Sequence, residues 1–282
     1  MKINSILLLL LTIISAIAIA VVGVVFRGTV YTKYYSNPYK TTSIGAVMQA
    51  ASNGIYPWSK IEVNEEKQST TATKKTNVKS SKTKKYISVD DSYFDDALFI
   101  GDSRMVGLSQ YCQDIDARAT FYAKKSLSIY NIRDDKWIET EDGDEISLAE
   151  ALETNHFSKI YIMVGINELG RGDENDFRQA YQDVINQIQS AEPDAYIFIN
   201  SIMHVSKEKN ETDELYNNTN INLRNDAIKS LEDKQNIFYL NINEAVDDEE
   251  GNLDAETTTD GVHLKGACYE PWHEYLLSHG VE

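Results

Sequence analysis

Residues 159–200 read KIYIMVGINELGRGDENDFRQAYQDVINQIQSAEPDAYIFIN, and this stretch decides the fold. It begins and ends with an apolar run. Between the two runs, Phe177, Tyr181, Val184, Ile185 and Ile188 recur at spacings of three and four residues, which predicts a helix with one apolar face. An apolar run, an amphipathic helix and a second apolar run together predict two parallel strands joined by a helix.

The same alternation extends in both directions along the chain. Apolar runs also occur at residues 97–100, 119–123 and 236–240, which makes five predicted strands. Helical patterns begin at Arg104 and occupy residues 146–154 and 214–233. We therefore predict an α/β domain with a parallel sheet covered on both faces. Ligands of such sheets bind at the carboxyl ends of the strands, so the residues that follow each strand are the candidates for chemistry.

The first predicted strand is followed by Gly101, Asp102, Ser103 and Arg104. A serine at a strand-to-helix turn lies near free N–H groups that favour an oxyanion, although Asp or Ser at this place is also an ordinary helix cap. For Arg104 we expect a surface salt bridge, with a contact to an anionic substrate group as the alternative. His204 follows the fourth strand, where we expect a structural or exposed histidine.

Two further motifs follow strands. Gly165-Ile166-Asn167-Glu168 offers a side-chain amide that can donate to an oxyanion, and Asp260-Gly261-Val262-His263 offers a base with a carboxylate three residues before it. A serine needs such a base to become a nucleophile, and a carboxylate fixes the tautomer of the base. Each motif alone is compatible with an ordinary turn, but all three occur at predicted strand ends of one domain.

The order Gly-Asp-Ser, Gly-x-Asn and Asp-x-x-His resembles the SGNH (GDSL-type) hydrolase family over about residues 93–279. The resemblance implies Ser103 as nucleophile, His263 as base, Asp260 as its partner, and the Ser103 N–H and Asn167 as oxyanion donors. It also implies a flavodoxin-like three-layer α/β/α sandwich with five parallel strands, and no metal or organic cofactor.

The sequence departs from the family pattern at two places. The family usually has a glycine after the second strand, whose N–H completes the oxyanion hole, whereas residues 121–128 read FYAKKSLS. We assign this position to Ser126, whose backbone N–H remains able to donate. The second departure is Glu168, where the family more often has Asp. Losing one oxyanion donor lowers rates by about 10²–10³, so a catalytically silent binding module stays open as an alternative.

The N-terminus is a separate feature. Residues Ile6 to Phe26 contain no charge, and as a helix they span roughly 31 Å, the thickness of a hydrocarbon core. We predict a transmembrane signal anchor over residues 1–27 with the catalytic domain outside the cytoplasm. A cleaved secretory signal ending near Ala18-Ile19-Ala20 is the alternative, and it also places the domain outside.

Charge divides the rest of the chain. Residues 1–85 contain 12 basic and three acidic residues, whereas residues 86–282 contain 15 basic and 41 acidic ones, a net charge of −26. The lysine-rich stretch 67–85 has no acidic residue and only one β-branched aliphatic residue, Val78, and is typical of a disordered linker. We therefore divide the chain into 1–27, a juxtamembrane region and linker at 28–90, and a catalytic domain at 91–282. The net charge of −17 argues against nucleic acid as a partner.

These observations predict a membrane-tethered serine esterase that acts on an ester-bearing small molecule, glycan or lipid. The same triad would serve an O-acyltransferase of a surface polysaccharide, and the sequence does not separate the two. A strongly anionic polymer is a less natural substrate for so acidic a domain, unless Lys124 and Lys125 shield the site. The two cysteines, Cys112 and Cys268, leave a disulfide open.

Overall fold

The computed structural model describes residues 5–26, 44, 46, 47 and 83–282. The chain divides into two units, Met1–Asn77 and Val78–Glu282, and each is described by itself. Most of the predicted juxtamembrane region and linker, at 28–90, lies outside the described residues.

In the first unit, Ser5–Val25 forms helix α1, of which the side chains of residues 15–26 are described. Within the described part of the chain, no helix is sufficiently long and apolar to cross a membrane. The predicted transmembrane span is therefore not confirmed.

The second unit contains a central sheet of five strands, all of them parallel. In chain order the strands are β1 (Ala97–Gly101), β2 (Thr120–Ala123), β5 (Lys159–Met163), β6 (Tyr196–Asn200) and β7 (Ile237–Leu240). Their order across the sheet is β2-β1-β5-β6-β7, which is the doubly wound order of flavodoxin-like folds. Each strand lies within one or two residues of its prediction, so the predicted parallel sheet is confirmed.

Helices follow the strands on both faces. They are α2 (Ser103–Tyr111), α3 (Gln113–Asp116), α4 (Ile129–Ile132), α5 (Leu148–Thr154), α6 (Glu174–Ala191), α7 (Lys207–Thr212), α8 (Asn218–Lys229), α9 (Asn243–Val246) and α10 (Glu270–Leu277). Helix α6 has the predicted apolar face, with Phe177, Tyr181, Val184, Ile185 and Ile188 buried. It begins at a capping box formed by Asp173 and Asp176, which satisfies two of the free N–H groups at its start.

The core consists of two layers, one on each face of the sheet. Alternate strand residues point to opposite faces, so Leu98, Ile100 and Ile162 pack with α5, α6 and α8. Phe99, Tyr161 and Phe198 pack with α2, α9 and α10 on the other face. The unit is thus a three-layer α/β/α sandwich.

Two features lie outside the sequence prediction. Ile138–Glu139 (β3) and Glu145–Ile146 (β4) form a small antiparallel hairpin. Residues before the predicted boundary at 91 also join the domain, because Ile87 pairs with Gly280 through two backbone hydrogen bonds of 2.9 Å.

Candidate active site

Ser103 is placed by the junction of β1 and α2. Asp102 caps the helix, its side chain accepting a hydrogen bond from the Arg104 N–H at 2.9 Å. Ser103 is the first helical residue, so its own N–H has no acceptor within the helix. The Ser103 hydroxyl therefore lies at the carboxyl edge of the sheet, beside the positive end of the α2 dipole.

His263 and Asp260 approach this hydroxyl from the loop that precedes α10. Ser103 Oγ lies 2.8 Å from His263 Nε2, and His263 Nδ1 lies 2.7 Å from Asp260 Oδ2. An ionised carboxylate only accepts hydrogen bonds, so Nδ1 carries the proton and Nε2 is left to accept from the serine. The three side chains form one continuous hydrogen-bonded series.

The Asp260 carboxylate is held in its ionised form. Partial burial raises its pKa, but hydrogen bonds from the backbone N–H groups of His263 and Val262 and from the His263 ring outweigh burial, so the pKa falls well below its usual range. The two backbone bonds measure 2.8 and 2.9 Å. Asp260 and His263 thus share one tight turn.

Asn167 and Ser126 complete the group of predicted site residues. Gly165 turns the chain after β5 with a φ of +147°, and a Cβ there would lie 2.2 Å from Ile202 Cδ1. The amide of Asn167 donates to the Leu127 carbonyl at 3.1 Å, which leaves its second hydrogen for another acceptor. Ser126 has a φ of +61°, and within the described residues its N–H makes no hydrogen bond.

A cleft of about 640 Å³ joins these residues. Ser103, His263, Asn167 and Ser126 all line it, and Asp260 lies directly behind His263. The structure therefore brings all five sequence-predicted residues together. The His263 side chain is 43% exposed, so the reacting atoms are open to solvent.

Glu168 lies behind the cleft and supports it, which the sequence does not reveal. Its side chain is buried and accepts a hydrogen bond from the Ile129 N–H, while its second oxygen has no partner among the described residues. Burial, together with the charge of Asp102, raises the Glu168 pKa to about 7 despite the Ile129 hydrogen bond. Asn167 and Glu168 together fasten the loop that carries Ser126. The only sequence signal was the departure from Asp at this position.

Arg104 and His204 do not line the cleft and have structural roles. Arg104 is 1% exposed and does not line the cleft, so the predicted surface salt bridge is wrong. Its guanidinium nitrogens make no hydrogen bond with the described residues, and burial lowers the Arg104 pKa although the nearby charge of Asp102 opposes this. His204 is bonded to Asp247 at 2.6 Å and to Asn222 at 2.9 Å, as expected of a structural histidine.

Cys112 and Cys268 are both free thiols. In residues 83–282 and the described parts of the N-terminal unit, no group of three or more His, Cys, Asp or Glu side chains is arranged to hold a metal ion.

Several solved structures are similar to this chain. A protein from Streptococcus pneumonia, provisionally described as a platelet activating factor, has a TM-score of 0.50 and 21% identity over 64% of this chain and 81% of that chain. A GDSL-like lipase from Bacteroides thetaiotaomicron has a TM-score of 0.48 and 13% identity over 64% of this chain and 84% of that chain. A carbohydrate esterase family 3 protein from Talaromyces cellulolyticus has a TM-score of 0.45 and 12% identity, over 64% and 93% of the two chains.

No curated protein matches the sequence. The model of the GDSL-like lipase/acylhydrolase family matches residues 99–270, a range that begins in β1 and ends at the start of α10. The match includes Ser103, Ser126, Asn167, Asp260 and His263. The chain therefore belongs to the GDSL-like lipase/acylhydrolase family and is an ester-hydrolysing enzyme.

Proposed function

We propose that this enzyme hydrolyses carboxyl esters through a Ser103-His263-Asp260 triad. The observation that carries the proposal is the series of two hydrogen bonds, 2.8 Å from Ser103 Oγ to His263 Nε2 and 2.7 Å from His263 Nδ1 to Asp260 Oδ2. It supplies the nucleophile, the base and the carboxylate that such a reaction needs.

In the first half-reaction, Ser103 Oγ attacks the ester carbonyl carbon as His263 Nε2 takes the hydroxyl proton. Asp260, ionised at neutral pH, stabilises the imidazolium that forms. The carbonyl oxygen becomes an oxyanion, which then expels the alcohol as the bond between the acyl carbon and the alcohol oxygen breaks. The imidazolium gives its proton to the departing oxygen, and the acyl group stays on Ser103.

Three donors are available to the oxyanion: the N–H groups of Ser103 and Ser126 and the amide of Asn167. The Ser103 N–H lies in the first helical turn, and the Ser126 N–H has no acceptor among the described residues. Donors that are oriented before the reaction begins stabilise the developing charge at no cost of reorganisation. Ser126 thus takes the role for which the family uses a glycine.

In the second half-reaction, His263 removes a proton from water, which attacks the acyl carbon and releases the acid. Ser103 recovers its proton from the imidazolium. The His263 side chain is 43% exposed, so a water molecule can reach its ring. Product analysis with and without an acceptor glycan distinguishes hydrolysis from the alternative, acyl transfer to polysaccharide.

We further propose that the enzyme is tethered to a membrane with the domain outside the cytoplasm. Support comes from the uncharged apolar run at residues 6–26 and the lysine-rich stretch that follows. A surface location would direct the enzyme to acyl groups on glycans or lipids. Fractionation of cells, with protease accessibility of the domain in intact cells, tests both parts of the proposal.

The test of the triad is reaction of the full chain with a fluorophosphonate, with the adduct mapped by mass spectrometry. We expect one adduct on Ser103 that is lost in Ser103→Ala and His263→Ala. Ser109→Ala is the matched control, because Ser109 lies on the same helix but is bonded to Asp116, and it should label normally. Failure of the folded wild-type protein to label would overturn the proposal in favour of a silent binding module.

A further inference from the structure

The charge of the cleft is opposite to the charge of the domain. Residues 86–282 contain 41 acidic and 15 basic residues. Of the described residues that line the cleft, none is Asp or Glu, whereas two are lysines, Lys125 and Lys209. In a domain with so few cations, two in the cleft that Ser103 also lines are a local reversal of charge.

Lys125 is the lysine of the cleft whose charge no described residue pairs. The neighbouring Lys124 is bonded to Glu145 at 2.5 Å and does not line the cleft. Lys125 is exposed, lines the cleft beside Ser126, and makes no ion pair or hydrogen bond with the described residues. An ammonium group in this situation lacks the counter-ion that Lys124 already has.

Lys209 lies on helix α7 and is only partly neutralised. Its ammonium group lies 3.2 Å from Asp213 and 5.6 Å from the centre of the Tyr216 ring. Tyr216 lines the cleft as well, together with Tyr111 and Tyr269, whose rings stack at 5.7 Å. The cleft thus combines aromatic faces and cations without a carboxylate on its lining.

We propose that the cleft takes acyl esters that also carry an anionic group, a carboxylate or a phosphate, and that Lys125 binds this anion. The proposal rests on the esterase function proposed above for the catalytic step only. A positively charged donor forms a stronger hydrogen bond with an anion than a neutral donor does, and Lys125 has no competing partner among the described residues.

The acidity of the domain does not cancel this attraction. At physiological salt, exposed charges more than about 8 Å apart are largely screened, so an anion in the cleft senses mainly the charges nearest to it. Of the carboxylates near the cleft, Asp260 is bonded to His263 and Asp213 to Lys209, whereas Asp102 and Glu168 are buried and do not line it. The long-range field of the domain slows the approach of an anion more than it weakens the bound state.

The first experiment measures binding without turnover, on the full-length Ser103→Ala protein by calorimetry. One pair of probes is methyl 2-O-acetyl-galacturonoside and its 6-carboxamide, which differ in charge alone. The other pair is 1-butanoylglycerol 3-phosphate and 1-butanoylglycerol. We expect the anionic member of at least one pair to bind roughly fivefold more tightly, the scale of one exposed ion pair.

Two variants in the same background locate the anion. Lys125→Met keeps most of the aliphatic side chain and removes the charge, so the affinity ratio within the pair should fall to about one. Lys124→Met is the matched control and should keep the wild-type ratio, because the Lys124 charge is already paired with Glu145. Preference within the sugar pair alone indicates an anionic glycan, and preference within the glycerol pair alone indicates a lipid phosphate.

Equal affinity within both pairs, or an unchanged ratio in Lys125→Met, would overturn the proposal. Hydrolysis of the same four probes by the wild-type chain separates this proposal from the esterase function. If the anionic probes bind selectively through Lys125 but no acid is released, the proposed ligand class stands and the proposed catalysis is refuted.

Discussion

Ser126 has a backbone conformation that disfavours side chains. Its φ of +61° lies in the left-handed region, which costs an L-residue about 1–2 kcal/mol relative to glycine. The surrounding bonds impose this conformation, because Asn167 holds the next residue, Leu127, and Glu168 holds Ile129. The backbone strain therefore lies at the proposed oxyanion donor.

We expect Ser126→Gly to stabilise the domain by about 0.5 kcal/mol, since relief of the strain exceeds the added freedom of glycine in the unfolded chain. Reaction with the fluorophosphonate should proceed at a rate close to that of the wild type, because the N–H keeps its direction. Urea denaturation measures the first effect and time-resolved labelling the second.

Lys234→Gly is the control for this substitution, because Lys234 has a similar φ of +55° and does not line the cleft. It should match Ser126→Gly in stability and leave labelling unchanged. A Ser126→Gly protein that labels many times faster would show that the serine side chain hinders the site.

Glu168 predicts a dependence of stability on pH. Its pKa is raised from 4.5 to about 7 in the folded protein, first by burial, so the folded state retains a proton that the unfolded state has lost between these values. The contribution of Glu168 to the free energy of unfolding is complete below pH 4.5 and is lost as the pH rises through 7, a change of about 3 kcal/mol. We expect Glu168→Gln to remove this decline, as measured by urea denaturation between pH 4.5 and 8.

The exposed Glu150 provides the control. Hydrogen bonds from Lys136 and Ser147 lower its pKa to about 2, so its contribution is present above pH 4.5 and is lost only at lower pH. Glu150→Gln should therefore leave the difference between pH 4.5 and 8 as in the wild type. If Glu168→Gln declines as steeply as the wild type does, the carboxyl group is already ionised at pH 4.5.

At the scale of elements, three asparagines support the loop that follows β6. Asn225 exchanges two hydrogen bonds with the backbone of Ile202, and Asn218 exchanges two with that of Val205. Asn243 accepts from the His204 N–H. The loop then contacts the catalytic turn, because the Ser206 N–H donates to the Gly261 carbonyl at 2.9 Å.

Replacing Asn218 by Ala leaves the buried Val205 N–H without its acceptor, whereas the Val205 C=O still accepts from the Leu253 N–H. We expect a loss of about 2 kcal/mol in unfolding free energy. Fluorophosphonate labelling should also slow, because the loop positions Gly261 between Asp260 and His263. Asn222→Ala on the same helix is the control, since Asn222 bonds to the exposed side of His204, and it should label normally. Unchanged labelling in Asn218→Ala would show that the turn is held without the loop.

The periodicity of apolar residues was sufficient to predict the main elements, because the strands are buried on both sides and α6 has a regular apolar face. It did not predict β3 and β4, each only two residues long, since a period of two needs more residues to be visible. The asparagine bonds were not predictable either, because they join helices to a loop between 13 and 41 residues away.

At the scale of the molecule, the sequence predicted which residues meet, because the carboxyl ends of parallel strands converge. Ser103, Asn167 and Ser126 follow strands that are neighbours in the sheet. The pairing of Lys124 with Glu145 was not predictable, because Glu145 lies in the small hairpin.

The pairing of Ile87 with Gly280 brings the two ends of the catalytic domain next to each other. Since the two ends already lie side by side, a few residues linking Glu282 to Ile87 would join them, and new ends at the exposed turn around Gly143 would open the chain elsewhere. We expect this circular permutant to melt near the temperature of the parent domain and to react with the fluorophosphonate at Ser103. This result would show that the order of the strands along the chain can change without loss of the chemistry at Ser103.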